Sequence, residues 1–396
     1  MSGQAEGSLE MEVALLHAWN SGHAVSDAVF RAWSRLWPEA EKLTSALLSR
    51  KREESEGIGQ GRGFPSIDEA VLLPMSRNFD LILSTSPEAS KAFPHCRSQL
   101  HLCYLPHSVP HEAAFNDSLK TSRERLAGYT TARFQFSQRL PVSRHAYLAP
   151  WSHETCPLAE QVTHWISASR SVRELNGLPT GMNSLVLYPP IDTQCFRPLN
   201  RQKEDFYLAV CRDRVIEGLD LAAEACRRVG KDFLIAATPE VAEEISGDLR
   251  ECVEVFHKDA ALAACYNRAA GVIFPGVVDF DPAMLEAQAC GVPVIAFREG
   301  AALELVIDAE EGQQGTGLFF DELDIESLVS ALEELERRPQ RCSGPLGWSS
   351  AAAYSEAQFE KRTVRLVREV LHAEGIRTLD REIRSKTPRN QRRDAA

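Results

Sequence analysis

The sequence predicts an α/β protein that contains two doubly wound parallel sheets. The chain has 396 residues, more than a single hydrophobic core usually organises, and this length indicates two domains. Short apolar runs of strand length alternate with segments of helical periodicity along most of the chain, as in parallel βαβ units. A hydrophobic fraction of 44% provides enough apolar side chains for a core in each domain.

The first half of the chain contains three runs that predict buried strands: MEVALLHAW, DLILSTS and QLHLCYL. After the first run, SDAVFRAWSRLWP has apolar residues at helical spacing, so we predict a helix there. Ser26 or Asp27 can cap this helix, and Pro38 can end it. Further along, LAEQVTHWISAS predicts a helix that leads into a strand, and NSLVLYPPIDTQCF predicts a strand that stops at Pro189 and Pro190.

The second half of the chain repeats this alternation. Five apolar runs predict strands: DFYLAVC, DFLIAAT, CVEVFH, AGVIFPG and PVIAFR. Helical patterns such as GLDLAAEACRRVG separate them, which indicates a second doubly wound sheet. Near the C-terminus, DIESLVSALEELERR and SSAAAYSEAQFEKRTVRLVREVLHAEG predict long amphipathic helices, and the last one can close the molecule. Two such domains face each other across a cleft lined by helix N-termini, which favour an anionic ligand.

The proline pair at 189–190 suggests a domain boundary. We therefore predict a disordered N-terminus (1–10), an N-terminal Rossmann-like domain (11–190), a C-terminal Rossmann-like domain (191–350), a closing helix (351–376) and a disordered basic tail (377–396). For the tail, a solvated end is favoured over a contact with an anionic membrane or partner.

Composition excludes several classes of protein. A net charge of -12 argues against general nucleic-acid binding, which requires a basic face. The sequence has no apolar run long enough to span a membrane and no basic region ahead of its first apolar segment, so we expect a cytoplasmic protein. The ten cysteines are scattered without a CxxC pair, so we expect reduced thiols and no metal site.

From about residue 165 to 375, the chain resembles retaining glycosyltransferases of family 4, particularly bacterial members that transfer mannose or related sugars to surface polysaccharides. The segments that carry the resemblance occur in the family's order: WISASRSV, VLYPPIDTQCFRP, EDFYLAVCR, GLDLAAEA, GVIFPG, LEAQACGVPVIAF, GAALELV and GLFFDE. The resemblance implies a GT-B fold, with an acceptor-side N-terminal domain, a C-terminal domain that binds a nucleotide sugar, and a C-terminal helix that crosses back.

The resemblance also implies a reaction. A mannose-like hexose would move, with retention, from a nucleotide diphosphate sugar to a glycan or lipid-linked acceptor, without a metal or other cofactor. Peripheral contact with the inner face of a membrane is common in the family. Two alternatives remain open at this stage: a catalytically inactive homologue that acts as a partner subunit in polysaccharide assembly, and a sugar-nucleotide epimerase of the same fold.

Three residues match functional positions of the family. Glu286 matches a glutamate that binds the ribose, and Arg212 an arginine that binds the diphosphate and stabilises the leaving group. Alternatively, Glu286 is a carboxylate on the helix surface, and Arg212 is part of a surface ion pair. His107 matches a histidine near the donor sugar, although Pro106 shifts it by one position, and it is as readily a loop histidine that bonds backbone.

The helix that contains Glu286 is predicted to begin at Pro282, so Asp281, Pro282 and Ala283 form the helix N-terminus that faces the diphosphate. The family has a glycine where this chain has Asp281. We expect its carboxylate to cap the helix and thereby to occupy the anion site itself. The triplet from Asp279 to Asp281 resembles a metal-binding DxD, but its context predicts no metal.

Two further positions depart from the family pattern. Val278 replaces the partner glutamate, and Glu217 replaces the diphosphate lysine, although Arg214 is placed to reach the same phosphates. Together with Asp281, these replacements change the local charge by +1, -2 and -1, a sum of -2, which opposes diphosphate binding. The turns AATPE and HAVSD also lack the family's glycines.

Overall fold

The structure is a computed structural model that describes residues 11–19, 24–46, 77–92, 96–107, 162–180, 183–199, 202–309, 313–342 and 344–376. The predicted disordered segments 1–10 and 377–396 lie outside these ranges, as does most of the helix predicted at LAEQV. Within them the chain forms two parallel six-stranded sheets with helices packed against them. The predicted α/β fold class is therefore confirmed.

The first sheet has the strand order β2-β1-β3-β4-β5-β6, with every pair parallel. Its strands are β1 (Val13–Trp19), β2 (Glu41–Ala46), β3 (Arg77–Ser84), β4 (Cys96–Leu105), β5 (His164–Ser167) and β6 (Ser184–Val186). Its helices are α1 (Ala24–Leu36), α2 (Pro87–Ala92) and α3 (Arg170–Thr180). Leu15, Leu81 and Leu102 from three adjacent strands are fully buried in one hydrophobic cluster.

The second sheet has the order β12-β11-β10-β7-β8-β9. Its strands are β7 (Phe206–Cys211), β8 (Asp232–Ala237), β9 (Val253–Val255), β10 (Gly271–Phe274), β11 (Val294–Phe297) and β12 (Gly317–Phe320). The helices that follow are α4 (Leu219–Arg228), α5 (Pro239–Ala242), α6 (Asp259–Arg268), α7 (Pro282–Ala289), α8 (Ala302–Leu305), α9 (Ile325–Arg337), α10 (Gly344–Ala352) and α11 (Glu356–Ala373), with short 3-10 turns at Gly247–Cys252 and Pro339–Arg341. Along β7, Leu208 joins one core cluster while Tyr207 and Ala209 join the other, so both faces of the sheet are buried.

The last helix, α11, returns to the first sheet, as predicted. Phe359 of α11 stacks near Trp33 of α1, with ring centroids 6.5 Å apart. Arg35 of α1 forms ion pairs with Glu356 and Glu360 of α11. The preceding helix, α10, supports the second sheet instead, because Gly347 lies so close to α7 that a Cβ there would stand 3.0 Å from the backbone oxygen of Gln288.

Some local predictions were wrong. Helix α1 begins at Ala24, ahead of both predicted caps, and the Ser26 hydroxyl donates to the Thr85 carbonyl. Strands β2 and β12 were not predicted. The C-terminal stretch is two helices rather than one, because the chain turns at residues 353–354 before α11 begins. Within the described residues, no helix combines the length and apolar character needed to cross a membrane.

Candidate active site

Helix α7 begins where the sequence predicted. Asp281 is extended, and its Oδ1 accepts a hydrogen bond of 2.8 Å from the Ala283 amide, while Pro282 occupies the first helical position. An aspartate cap followed by proline is favourable because proline has no amide hydrogen to leave unsatisfied. Glu286 lies one turn further along and is 5% exposed, so the interpretation of Glu286 as a helix-surface residue is wrong.

Arg212 follows β7 and joins Glu286 to a second carboxylate. Its Nη2 donates to both Glu286 oxygens, at 2.9 and 2.8 Å, and its Nη1 donates to Asp259 Oδ1 at 2.7 Å. The Tyr266 hydroxyl donates to Glu286 Oε2 at 3.0 Å. The terminal nitrogens of Arg212 are therefore engaged with protein carboxylates. Its Nε is buried and has no hydrogen-bond partner in the described part of the chain.

Burial and charge oppose each other in this network. Burial raises the pKa of Glu286 to about 6, although the adjacent Arg212 lowers it. For Arg212, burial lowers the pKa, but the neighbouring carboxylates outweigh that effect and raise it above its ordinary value. Burial also raises the pKa of the Tyr266 hydroxyl well above its usual range, so it remains a donor. At neutral pH the Arg212 and Glu286 pair is thus predominantly ionised.

Two aspartates and a second arginine surround this pair. Loss of hydration raises the pKa of both Asp281 and Asp213 to about 6, and Arg212 and Arg214 each lower it. Arg214 is exposed and forms no ion pair with any residue in the described ranges. Arg214 is therefore accessible to a ligand, whereas both terminal nitrogens of Arg212 are already engaged.

His107 lies at the carboxyl end of β4, directly after Pro106. Burial lowers its pKa, with Asp279 raising it and Arg214 lowering it. These charges belong to the second domain, so the structure brings His107 of the first domain within electrostatic reach of the same cleft. A lowered pKa keeps the imidazole neutral at pH 7.

Val278 and Glu217, the two other replacements of family residues, lie near this site in different environments. The Val278 side chain packs against the core of the second domain, and its carbonyl accepts from the Ala301 amide at 2.8 Å. Glu217 is exposed, and its Cβ would lie 3.6 Å from a Cβ added at Gly276, in the turn that precedes Val278. Glu217 therefore adds negative charge to the side of the cleft that carries α7.

A pocket of about 530 Å³ adjoins Arg212. It is lined by the segments that follow β8 and β9: Thr238, Pro239, Glu240, Phe256, His257, Lys258 and Asp259. The Phe256 ring lies 5.8 Å from the Arg212 guanidinium carbon, so the aromatic face and the cation belong to one wall. The pocket is large enough for a ring system next to the Arg212 and Glu286 pair.

Sequence reasoning missed three members of this site. Asp259 and Tyr266 both lie on α6, and Asp213 stands between the two arginines. The available signals were local: Asp259 begins a helix, and Asp213 lies in a loop at the carboxyl end of a strand. Neither signal identifies a partner 47 or 189 positions away in the chain.

The two domains also meet through α8 and the segment that precedes α7. Glu304 of α8 accepts hydrogen bonds from the Arg170 and Ser171 amides at 2.9 and 2.8 Å, and from the Tyr188 hydroxyl at 2.5 Å. The Ser169 hydroxyl donates to the Asp279 carbonyl at 2.8 Å. Phe280 packs against the cores of both domains.

Comparison with known proteins agrees with this architecture. Residues 206–338 match a family described as "Glycosyl transferases group 1". The match spans β7 to α9, so the second domain is similar to this family of glycosyltransferases. It is similar to a GDP-mannose-dependent alpha-(1-6)-phosphatidylinositol monomannoside mannosyltransferase of Mycolicibacterium smegmatis, with 25% identity over 266 residues. That alignment covers 54% of this chain and 64% of the relative, a little under two thirds of its length.

Two solved structures resemble nearly the whole chain. Sucrose-phosphate synthase from Thermosynechococcus elongatus superposes with a TM-score of 0.61 at 16% identity, covering 92% of this chain and 100% of that one. The Anabaena protein HepE, solved with UDP and glucose, gives a TM-score of 0.60 at 14% identity and covers 90% and 99%. At such identities the likeness establishes the fold and confirms the predicted GT-B class.

Proposed function

We propose that this chain is a retaining glycosyltransferase that moves a hexose, mannose-like, from a nucleotide diphosphate sugar to a glycan or lipid-linked acceptor. The observation that carries the proposal is the buried ion pair between Glu286, one turn inside α7, and Arg212, which directly follows β7. We favour an enzyme over a non-catalytic partner subunit because both matched residues are present and held in place.

The proposed roles follow from the engagement of each side chain. From the described residues Glu286 Oε1 accepts one hydrogen bond, so it has capacity left for a ribose hydroxyl. Arg212 is a positioning residue that orients this carboxylate. Arg214 and the N-terminus of α7 take the diphosphate, because Arg214 is an exposed cation without an ion pair among the described residues. Neutral His107 hydrogen-bonds the transferred sugar.

In the proposed reaction, the bond between the anomeric carbon and the donor phosphate oxygen breaks, and its electron pair remains on the diphosphate. The acceptor hydroxyl oxygen bonds to the anomeric carbon on the same face, and its proton passes to the departing phosphate oxygen. No protein nucleophile is required. The chain contributes positioning and stabilisation of the leaving diphosphate, chiefly through Arg214.

The finer assignments rest on the relatives. The mannosyltransferase relative supports mannose, and its GDP-mannose and the UDP bound to HepE make guanine and uracil the bases to compare. If the acceptor is lipid-linked, the protein works in polysaccharide synthesis. We propose that it then lies in the cytoplasm and contacts the inner face of the membrane peripherally. The pocket beside Arg212 is the place for the base.

The test is a donor panel. UDP-, GDP- and ADP-sugars are offered to the purified chain, with release of nucleotide and calorimetric binding as separate measurements. We expect one base to bind measurably and its sugar to be hydrolysed or transferred, and Glu286→Gln to weaken binding at least tenfold. Neither binding nor turnover with any donor would overturn the proposal and favour the partner-subunit alternative.

A reverted variant separates these two outcomes. Asp281→Gly combined with Glu217→Lys restores the family's charges at both positions. For the enzyme, we expect the reverted protein to bind the same base more tightly. If both the wild type and the reverted protein fail to bind, the electrostatic account of the cleft is also wrong.

A further inference from the structure

The pocket beside Arg212 has two walls that carry side chains of opposite charge. One wall follows β8 and includes Glu240, in the first turn of α5. The other wall follows β9 and includes Lys258, the residue before α6. A carboxylate and an ammonium group therefore line one pocket from two adjacent strands. Such a pair suits a ligand that has hydrogen-bond donors at one place on its edge and an acceptor beside them.

Hydrogen bonds hold both walls in position. The Thr238 amide donates to the Cys211 carbonyl at 3.3 Å, and the Thr238 hydroxyl donates to the Arg212 carbonyl at 2.9 Å. The Phe256 amide donates to the Ala237 carbonyl at 2.9 Å, which joins the second wall to the first. All the lining residues belong to the second domain, so the shape of the pocket is set within that domain.

A second lining carboxylate, Asp259, is tied to the Glu286 end of the pocket. Arg212 donates through Nη1 to Asp259 and through Nη2 to Glu286. Glu286 is the carboxylate that we assign to the ribose, and in a nucleotide the base extends from the ribose on the side away from the phosphates. We therefore assign the base to the part of the pocket that Glu240 and Lys258 line, a step that rests on the proposed function.

The bases differ in the pattern of donors and acceptors that they present to this pair of side chains. Guanine carries two adjacent donors, N1–H and the 2-amino group, next to the acceptor O6. A carboxylate accepts from both donors with its two oxygens, and an ammonium group donates to O6. Uracil has one donor, N3–H, between two carbonyl oxygens, and adenine has the acceptor N1 beside its amino group. With either of these bases, one carboxylate oxygen faces a lone pair instead of a donor.

We propose that this pocket selects guanine: Glu240 accepts from N1–H and from the 2-amino group, and Lys258 donates to O6. The sugar donor is then a GDP-sugar rather than a UDP-sugar or an ADP-sugar. Glu240 determines the choice, because guanine is the one of these three bases that offers a donor to both of its carboxylate oxygens.

Inosine diphosphate (IDP) isolates one of these contacts, because hypoxanthine keeps the N1–H and O6 of guanine and lacks the 2-amino group. The measurement is calorimetric titration of the full chain with GDP, IDP, UDP and ADP. We expect the wild type to bind GDP about tenfold more tightly than IDP, since IDP loses one charge-assisted hydrogen bond. GDP should also bind at least tenfold more tightly than UDP or ADP.

Two substitutions test the two side chains separately. Glu240→Gln should remove most of the preference for GDP over IDP, because an amide presents one acceptor oxygen instead of two. Lys258→Met should weaken GDP and IDP by the same factor, about tenfold, since both ligands carry O6. Glu243→Gln is the matched control: Glu243 is exposed just after α5 and lies outside the pocket lining, so neither affinity should change. Circular dichroism melts establish that all variants are folded.

UDP or ADP binding to the wild type as tightly as GDP would overturn the assignment of guanine and leave the proposed function in place. A preference for GDP over IDP that is absent in the wild type, or unchanged in Glu240→Gln, would overturn the role of Glu240. If no nucleoside diphosphate binds the wild type, the proposed function fails and the assignment of guanine fails with it. The two failures are therefore distinguishable.

Discussion

Replacement of Asp281 by asparagine isolates the negative charge that we expect to oppose donor binding. In the wild type this carboxylate caps α7 through the Ala283 amide at 2.8 Å. Asparagine caps helices about as well as aspartate, so Asp281→Asn should preserve the start of α7. The substitution therefore removes the negative charge from the helix N-terminus without removing the hydrogen bond.

The size of the effect follows from Coulomb's law. A phosphate about 5 Å from an ionised carboxylate, at an effective dielectric constant of about 20, is repelled by roughly 3 kcal/mol. This energy corresponds to about a hundredfold in affinity. Because the pKa of Asp281 is raised to about 6, the carboxylate is ionised at pH 8 and mostly protonated at pH 5. The gain from Asp281→Asn should therefore be large at pH 8 and nearly absent at pH 5.

Calorimetry with GDP-mannose and UDP-glucose measures this difference, since a diphosphate esterified at both ends has no group that titrates over this range. Asp324→Asn is a matched control, because Asp324 also caps a helix, accepting from the Ser327 amide at 2.7 Å at the start of α9. The control should leave donor affinity unchanged at every pH. A gain for Asp281→Asn that is equal at pH 8 and pH 5, or absent at pH 8, would refute the reasoning.

Asp281→Asn should also stabilise the folded protein, whereas the same substitution of a salt-bridged aspartate would destabilise it. A carboxyl group whose folded pKa is raised lowers the stability of the fold as pH increases from about 4 to about 6. With about 1.4 kcal/mol per pKa unit, ionised Asp281 costs at most about 3 kcal/mol at pH 8. Asp281→Asn should therefore raise the free energy of unfolding at pH 8 and not at pH 4, as measured by urea denaturation.

Three other predictions concern the surrounding site. Tyr266→Phe should cost about 1.5 to 3 kcal/mol of stability and weaken donor binding, because Glu286 loses a charge-assisted hydrogen bond. The control Tyr207→Phe breaks a similar bond to Glu336 far from the cleft, so it should reduce stability without changing donor binding. Urea denaturation and calorimetric binding, run in parallel on both variants, measure the two effects. Arg214→Gln should lower kcat/KM about tenfold or more, while nucleosides without phosphate bind as before; equal losses for both ligands would contradict its role. Chelation with EDTA should leave the transfer rate unchanged, and restoration of a lost rate by a divalent cation would show that the reaction needs a metal.

Much of the fold could be predicted because the sheets are buried on both faces. Strands such as β7 and β10 are continuous apolar runs, and only buried parallel strands need that pattern. Strand β2, Glu41–Ala46, lies at the edge of its sheet and is largely polar, so the same criterion missed it. Strand β12 is only four residues long and lies at the edge of the second sheet.

The site was predicted unevenly for a related reason. Glu286, Asp281 and Pro282 belong to one helix start, and local capping rules determine how they are arranged. The ion pairs of Arg212 depend on the packing of α6 against the second sheet, which no local pattern encodes. Family resemblance matched Arg212 to the arginine that binds the diphosphate, and this role stays a prediction; in the structure Arg212 pairs with Glu286 and Asp259, while Arg214 is exposed.

The return of α11 to the first domain affects how the protein is made. Phe359, Val367 and Leu371 of this helix are almost fully buried among residues of the first sheet and α1. A ribosome synthesises these side chains after the strands of both sheets. Until α11 emerges from the ribosome, the nascent first domain exposes the apolar surface around Trp33. The first domain therefore completes its folding only after the second domain has been translated. Chaperones can bind the exposed surface in the meantime.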